Sequence, residues 1–273
     1  MSLSRMRPLL ERARHDNRAI GAFSVANLEM ILGVLAAAEK AQAPVILQIA
    51  QARLQTSPLH MIGPAMLEAA RRSKVEVAVH LDHGLTMDCM EEAIGLGFTS
   101  VMFDGSHLPF AENVRLTREV VAMAHGKAVD VEAEIGRVGR GEDEAASPVA
   151  YADPREALRF LAETGVDALA VGIGNIHGVY AGAPDLHFEI LREISAASAV
   201  PLVLHGGTGI SPADFRQAIS LGVRKINIAT ACFRAAAEAA HAARQSDIFD
   251  VSRCMADAVE AVAAAHLSVF YPA

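Results

Sequence analysis

Eight short apolar runs alternate with longer helix-like stretches along this chain, and this alternation constrains the fold more than any other feature. The runs lack the every-second-residue polarity of a half-exposed strand, so they are typical of strands buried on both faces. Eight strand–helix units within 273 residues predict an α/β fold, a single (β/α)8 TIM barrel over residues 1–273. A doubly wound open sheet is the alternative, but no GxGxxG motif follows the first run. The predicted strands cover residues 19–25, 44–49, 76–81, 99–103, 127–132, 167–173, 201–204 and 224–228.

The composition narrows the partners that the chain can bind. A net charge of −8 argues against nucleic acid and against an anionic membrane, because both attract a basic surface. No run approaches the roughly eighteen apolar residues of a membrane-spanning helix. The 3 cysteines are scattered and form no Cys-x-x-Cys pair, which is typical of a reduced protein. We therefore expect a soluble, cytoplasmic, globular protein.

Three of the apolar runs deliver a histidine at or just after their end: His83, His177 and His205. In a barrel, the carboxyl ends of all strands meet at one mouth, where active sites lie. A lone histidine is more often a hydrogen-bonded core residue, but three at equivalent strand ends indicate a shared site. Three neutral imidazoles leave open positions on a divalent cation, as a catalytic zinc requires. The other histidines are expected in helices or loops and are assigned no role.

Acidic residues at the same strand ends can supply the remaining chemistry. Asp82 precedes the first of these histidines and suits acid/base work on a substrate hydroxyl, or else it orients a histidine ligand. Asp104 and Glu134 either hold a second cation or make structural ion pairs. Residues 136–148 form a long polar segment that is typical of a lid, and Glu142 within it can act as a base when the lid closes.

Glycine-rich loops follow the last two predicted strands, where barrels hold phosphate groups on backbone N–H groups; an ordinary tight turn is the alternative. The two loops contain Gly206, Gly207 and Thr208, and Asn227, Ile228, Ala229 and Thr230. The chain has few lysines, and Lys127 and Lys225 are expected near strand starts, away from the mouth. A Schiff-base mechanism therefore lacks a nucleophile, which favours metal activation.

In this combination the motifs resemble the class II, zinc-dependent ketose-bisphosphate aldolases, which include the fructose- and tagatose-bisphosphate aldolases. The matching segments occur in order over nearly the whole chain, so together they are highly specific. They are residues 21–25 (GAFSV), 44–48 (PVILQ), 80–84 (HLDHG), 100–107 (SVMFDGSH), 131–136 (VEAEIG), 141–143 (GED), 171–178 (VGIGNIHG), 204–209 (LHGGTG) and 225–230 (KINIAT).

The resemblance implies an enzyme that splits a ketose phosphate into dihydroxyacetone phosphate and an aldehyde. It implies that His83, His177 and His205 bind Zn²⁺, which polarises the substrate carbonyl. Asp82 would exchange the proton of the C4 hydroxyl, and Glu142 the C3 proton. The resemblance also implies a monovalent cation, Na⁺ or K⁺, beside the substrate phosphate, and a homodimer or homotetramer. The implied phosphate-binding residues are Gly178, Gly206, Gly207, Thr208, Asn227, Ile228, Ala229 and Thr230.

The end of the site that would hold the aldehyde departs from the commoner family patterns. Ala229 stands where fructose-preferring members often carry Asp, and Phe233 where a cation for the far phosphate is frequent. The aldehyde is then glyceraldehyde 3-phosphate, or one with a different or no anionic group, as in the breakdown of inositol or another sugar. Two other classes compete. A non-catalytic aldolase subunit need not keep Asp82 and Glu142, and a metal-dependent hydrolase usually has His-x-His where residues 22–24 read AFS.

Overall fold

The computed structural model describes residues 2–140 and 150–272. The strands, numbered along the chain, are β1 (Ile20–Ser24), β2 (Val45–Ala50), β3 (Val77–Gly84), β4 (Ser100–Phe103), β5 (Asp130–Ile135), β6 (Gly139–Arg140), β7 (Ala168–Val171), β8 (Ile176–His177), β9 (Leu202–Leu204) and β10 (Val223–Ile228). The helices are α1 (Met6–His15), α2 (Leu28–Ala41), α3 (Leu59–Arg72), α4 (Met87–Leu96), α5 (Phe110–His125), α6 (Pro154–Thr164), α7 (Phe188–Ala197), α8 (Pro212–Ser220), α9 (Thr230–Ala242) and α10 (Ile248–Phe270). Within these ranges no helix combines the length and the apolar character that crossing a bilayer requires.

Eight parallel strands close into a barrel in the order β1-β10-β9-β7-β5-β4-β3-β2. Helices lie between successive barrel strands, which confirms the predicted (β/α)8 TIM barrel. The barrel strands are runs of buried residues, as expected where the interior covers one face and helices cover the other. The two remaining strands, β6 and β8, form a separate parallel pair that the sequence does not predict.

Two predicted strands differ from the structure by three residues: β3 continues to Gly84 instead of ending at residue 81, and the fifth strand is displaced at both ends. The sequence predicts the fifth strand over residues 127–132, but β5 spans Asp130–Ile135. Ala128 has a φ of 57° and its N–H donates to the His125 carbonyl at 3.1 Å, so the chain is still turning out of α5 at this point. As a result Glu132 and Glu134 both belong to β5. Being two residues apart, they point to the same side of the sheet.

The barrel interior changes from apolar to polar along its axis. At the lower end, helix α1 closes the barrel with Met6, Leu9 and Leu10, which pack with strand residues such as Ile46 and Met102. Further along the barrel, the fully buried polar residues include Gln48, His80, Glu132 and Lys225. Buried polar groups are usually paired, so the contacts among these residues form the floor of the mouth.

Helix α2 packs so closely on α10 that Gly33 has no room for a side chain. An added Cβ would lie 2.4 Å from the Ala256 carbonyl oxygen and 3.0 Å from the Glu260 nitrogen. We expect Gly33→Ala to lower the free energy of unfolding by about 1–3 kcal/mol, as overpacking does. Gly95 in α4 is a matched control because nothing lies within 4 Å of an added Cβ there. Gly95→Ala should instead gain roughly 0.5–1 kcal/mol. Urea unfolding measures both variants, and equal midpoints would contradict the close contact.

Candidate active site

The three predicted metal histidines lie together at the barrel mouth. His83 is on β3, His177 is on β8, and His205 follows β9 directly. One ring nitrogen from each lies within 4.8 Å of the other two, and His205 Nδ1 is 2.9 Å from His83 Nε2. A tetrahedral ion with bonds of about 2 Å needs nitrogens about 3.3 Å apart, so the cluster is close to the geometry of a zinc site. The β6–β8 pair positions His177 beside the other two histidines.

Carboxylates behind two of these rings select the nitrogen that faces the cluster. His83 Nδ1 is 2.8 Å from Asp104 Oδ2, and His205 Nε2 is 2.8 Å from Glu132 Oε1. An imidazole that donates its N–H to a carboxylate keeps the lone pair of its other nitrogen free for a cation. Those other nitrogens, His83 Nε2 and His205 Nδ1, are the two that face each other. The donor set therefore fits a divalent metal ion.

The charges around the cluster favour a cation as well. Burial alone would lower the pKa of His83, but the negative charges of Asp82, Asp104 and Glu134 outweigh it and raise the pKa to about 10. Burial, followed by the nearby charge of His83, holds the pKa values of His177 and His205 well below the usual range. The neutral form of these two rings is the form that binds metals.

The backbone at His83 is held in an uncommon conformation. Its φ is 44°, in the left-handed region that a non-glycine residue adopts at a cost. The register between β3 and β4 also shifts in this part of the strand, between Leu81 and Gly84. The strand therefore departs from regular geometry where it turns His83 toward the other two histidines.

Asp82 sits beside this cluster with both carboxylate oxygens engaged. Oδ1 accepts from Asn227 Nδ2 at 3.1 Å, and Oδ2 accepts from Gln48 Nε2 at 3.2 Å. The residue is 5% exposed and lines the cavity at the mouth. Two neutral amide donors fix the orientation of the carboxylate at the cavity, as a positioned acid/base group requires.

Asp104 and Glu134, the predicted second cation site, have different surroundings. Asp104 Oδ2 contacts His83, and its Oδ1 accepts from the backbone N–H and the hydroxyl of Ser106. Glu134 Oε1 accepts from Val138 N–H, whereas its buried Oε2 has no hydrogen-bond partner in the described part of the chain. Burial, reinforced by Asp104, raises the pKa of Glu134 to about 8. One ligand atom each from Asp104, Glu134 and His83 lies within 4.8 Å of the others.

A cavity of about 500 Å³ opens above these residues. Of the predicted phosphate-binding residues it is lined by Gly178, Ala229 and Thr230, and by His177 next to them. Thr230 is the first residue of α9, so the N-terminus of a 13-residue helix faces the cavity. Backbone N–H groups and the helix dipole at such an end attract a phosphate group.

The other predicted phosphate-binding residues support this wall from behind. Thr208 Oγ1 accepts from Ala231 N–H at 3.1 Å and so caps the first turn of α9. Gly206 has a φ of 63°, and an added Cβ would lie 2.0 Å from the Ile176 carbonyl oxygen. Gly207 N–H donates to the backbone carbonyl of Asn227, and the side-chain amide of Asn227 donates to Asp82. Ile228 is fully buried.

Glu142, the predicted base of the lid, lies outside the described residues. The predicted lid, residues 136–148, is described as far as Arg140, and within it β6 pairs in register with β8, Arg140 opposite His177. The described chain resumes at Ala150, which exchanges two backbone hydrogen bonds with Arg137. The described residues on either side of 141–149 are therefore held next to the cavity, which Arg137 also lines.

Two residues that the sequence interpretation set aside belong to the site's floor. Lys225 does not lie away from the mouth but points into the barrel, with Nζ 2.9 Å from Glu132 Oε2 and 2.8 Å from Asn227 Oδ1. His80, which was assigned no role, lies on β3 within the predicted third strand and not in a helix or loop; it is fully buried, with Nδ1 2.9 Å from Ser100 Oγ. The signal that could have found both is the alternation of inward and outward positions along β3 and β10.

Comparisons with known proteins agree with this geometry. The family model for class-II fructose-bisphosphate aldolase matches residues 4–271. A 6-phospho-5-dehydro-2-deoxy-D-gluconate aldolase of Halalkalibacterium halodurans is 41% identical over 269 residues, covering 96% of this chain and 93% of that protein. A fructose-bisphosphate aldolase of Staphylococcus epidermidis is 40% identical over 268 residues, covering 96% of this chain and 94% of that protein. The crystal structure of the YdjI aldolase from Escherichia coli K12 is 36% identical with a TM-score of 0.90, covering 99% of this chain and 98% of that chain.

Proposed function

The chain belongs to the class II fructose-bisphosphate aldolase family, whose members are metal-dependent carbon–carbon lyases, and we propose that its metal is one Zn²⁺ per subunit. The observation that carries the proposal is the convergence of three imidazole nitrogens, two of them backed by carboxylates, beside Asp82. We propose His83, His177 and His205 as the zinc ligands. A bound zinc supplies Lewis-acid polarisation of the substrate carbonyl and stabilises the negative charge that develops during cleavage.

The reaction that we propose is the reversible cleavage of a ketose phosphate to dihydroxyacetone phosphate and an aldehyde. Asp82 takes the proton of the C4 hydroxyl while the C3–C4 bond breaks and its electron pair stays with the three-carbon fragment. Glu142 then supplies a proton to C3 of that fragment, and the reverse steps run for synthesis. The fixed orientation of Asp82, held by Gln48 and Asn227, supports its role because a base must be in place before the proton moves.

We propose that the substrate phosphate binds against Gly178, Ala229 and Thr230, at the α9 N-terminus, with Gly206, Gly207, Thr208, Asn227 and Ile228 supporting that wall. A monovalent cation, Na⁺ or K⁺, is proposed beside it, and Asp104 with Glu134 remains a proposed second metal site. We also propose that the enzyme works in the cytoplasm as a homodimer or homotetramer.

The proposed substrate is fructose or tagatose 1,6-bisphosphate or a ketose phosphate with a different aldehyde half. Arg53, Arg137 and Phe233 also line the cavity, and the Arg53 guanidinium lies 5.5 Å from the Phe233 ring centre. Two cationic side chains in this lining support a second anionic group on the substrate, on its aldehyde half. The relative from H. halodurans is named for a phosphorylated deoxy-keto-gluconate, which supports testing that compound as a candidate.

The decisive experiment is cleavage of a ketose-phosphate panel with and without EDTA. The panel contains fructose and tagatose 1,6-bisphosphates, their 1-phosphates, and 6-phospho-5-dehydro-2-deoxy-D-gluconate, with dihydroxyacetone phosphate detected by coupled reduction. We expect at least one member to be cleaved, EDTA to abolish cleavage, and Zn²⁺ to restore it after the chelator is removed. Cleavage that resists prolonged EDTA treatment would contradict the metal, and no cleavage of any member would contradict the substrate class.

A further inference from the structure

A fully enclosed pair of opposite charges in the described barrel lies beneath the proposed metal histidines. Lys225 on β10 and Glu132 on β5 are both 0% exposed, and Lys225 Nζ is 2.9 Å from Glu132 Oε2. Burying an ammonium group and a carboxylate is unfavourable unless the two are well paired, and hydrophobic side chains would fill the same space at less cost. A buried pair at this position therefore calls for an explanation beyond stability.

One branch from this pair leads to a metal ligand. The other oxygen of Glu132, Oε1, is 2.8 Å from His205 Nε2. Because His205 donates Nε2–H to the carboxylate, its Nδ1 lone pair points at the metal position, 2.9 Å from His83 Nε2. Lys225 holds Glu132 in the orientation that this hydrogen bond requires.

The second branch leads to the acid/base residue. Lys225 Nζ donates to Asn227 Oδ1 at 2.8 Å. An ammonium group has only donors, so the amide oxygen of Asn227 must face it and the NH₂ group must point the other way. That NH₂ group donates to Asp82 Oδ1 at 3.1 Å. Lys225 therefore determines that the NH₂ group of Asn227, and not its oxygen, faces Asp82.

We propose that Lys225 is a positioning residue that orients both the metal ligand His205, through Glu132, and the acid/base residue Asp82, through Asn227. The inference rests on the proposed function for the roles of His205 and Asp82. It predicts that one substitution, remote from the cavity surface, weakens metal binding and slows turnover together, whereas substitutions in either branch affect one property alone.

The test compares Lys225→Met with variants that remove only the contact to His205 or only the contact to Asp82. Zinc affinity is measured on metal-free protein by competition with a chromophoric chelator, and kcat and KM are measured at saturating zinc. Lys225→Met should weaken zinc binding about 10–100-fold and lower kcat more than about tenfold with KM within about threefold of wild type. Glu132→Gln should change mainly the affinity, and Asn227→Leu mainly kcat. Lys127→Met, at an exposed lysine, is the matched control and should change neither.

A folding defect is separated from the positioning role by a second variant. Lys225→Met leaves the Glu132 carboxylate without its cation, whereas Lys225→Met/Glu132→Gln removes both charges and should fold with a native circular dichroism spectrum. That double variant should still bind zinc more weakly and turn over more slowly than the wild type. Wild-type affinity and kcat in a folded Lys225→Met protein, or unfolding of both variants, would overturn the proposal. Zinc affinity requires no substrate, so a failure of the cleavage panel is distinguishable from a failure here.

Discussion

Asp82→Ala is expected to lower kcat for cleavage by about 10³-fold, because general acid/base catalysis contributes about 10²–10⁴-fold. Among the described residues, Gln48 and Asn227 present amide donors to this carboxylate, so neither of them can take the C4 hydroxyl proton in its place. Zinc content should stay at one ion per subunit, since the three histidine nitrogens do not depend on the Asp82 side chain. Steady-state kinetics and metal analysis of the same preparation measure both quantities.

Two further variants separate proton transfer from simple orientation. Asp82→Asn keeps the shape of the side chain and can still accept one of its hydrogen bonds, so high activity in this variant would assign Asp82 to orientation alone. Asp88→Asn, at an exposed position in the first turn of α4, should be indistinguishable from wild type. A proton-exchange assay adds a stricter test. If Glu142 handles the C3 proton, Asp82→Ala should still exchange deuterium into dihydroxyacetone phosphate.

The barrel could be predicted from the sequence because its strands are continuous runs of buried residues. Two features of the fold were not predicted from the sequence. Strands of two residues, such as β6 and β8, carry no periodic signal, although β8 holds His177. The start of β5 depended on a left-handed residue, Ala128, which has no sequence signature of the kind that glycine provides.

The site could be predicted at its surface but not in its floor. Histidines and acids at strand ends are recognisable because apolar runs do not normally end in titratable groups. Lys225 was misplaced because a lysine near a strand start is normally exposed, although alternation along β10 places it on the same side of the strand as Asn227. Its partner Glu132 is the last residue of the predicted fifth strand, but the sequence does not show that it meets Lys225. The charge pair therefore required three-dimensional distances.

His205→Ala is expected to abolish stoichiometric zinc binding and to lower kcat by at least about 10³-fold, because a three-histidine site loses one of its ligands. The substitution also leaves Glu132 Oε1 without the ring nitrogen that now contacts it at 2.8 Å. A readout independent of catalysis is thermal unfolding. Zinc stabilises only a native state that binds it, so added Zn²⁺ should raise the Tm of the metal-free wild type but not that of the variant.

The matched control for this loss is His60→Ala, since His60 is an exposed histidine in α3. It should keep both the zinc-dependent rise in Tm and full cleavage activity. Retention of one zinc per subunit by His205→Ala would contradict the three-histidine assignment, whatever its activity. If zinc is lost but cleavage persists, the ligands are correct and the metal is not required for catalysis. Loss of both, with His60→Ala unaffected, ties the chemistry to the position where β3, β8 and β9 bring their histidines together, because that convergence is what places three ring nitrogens within reach of one ion.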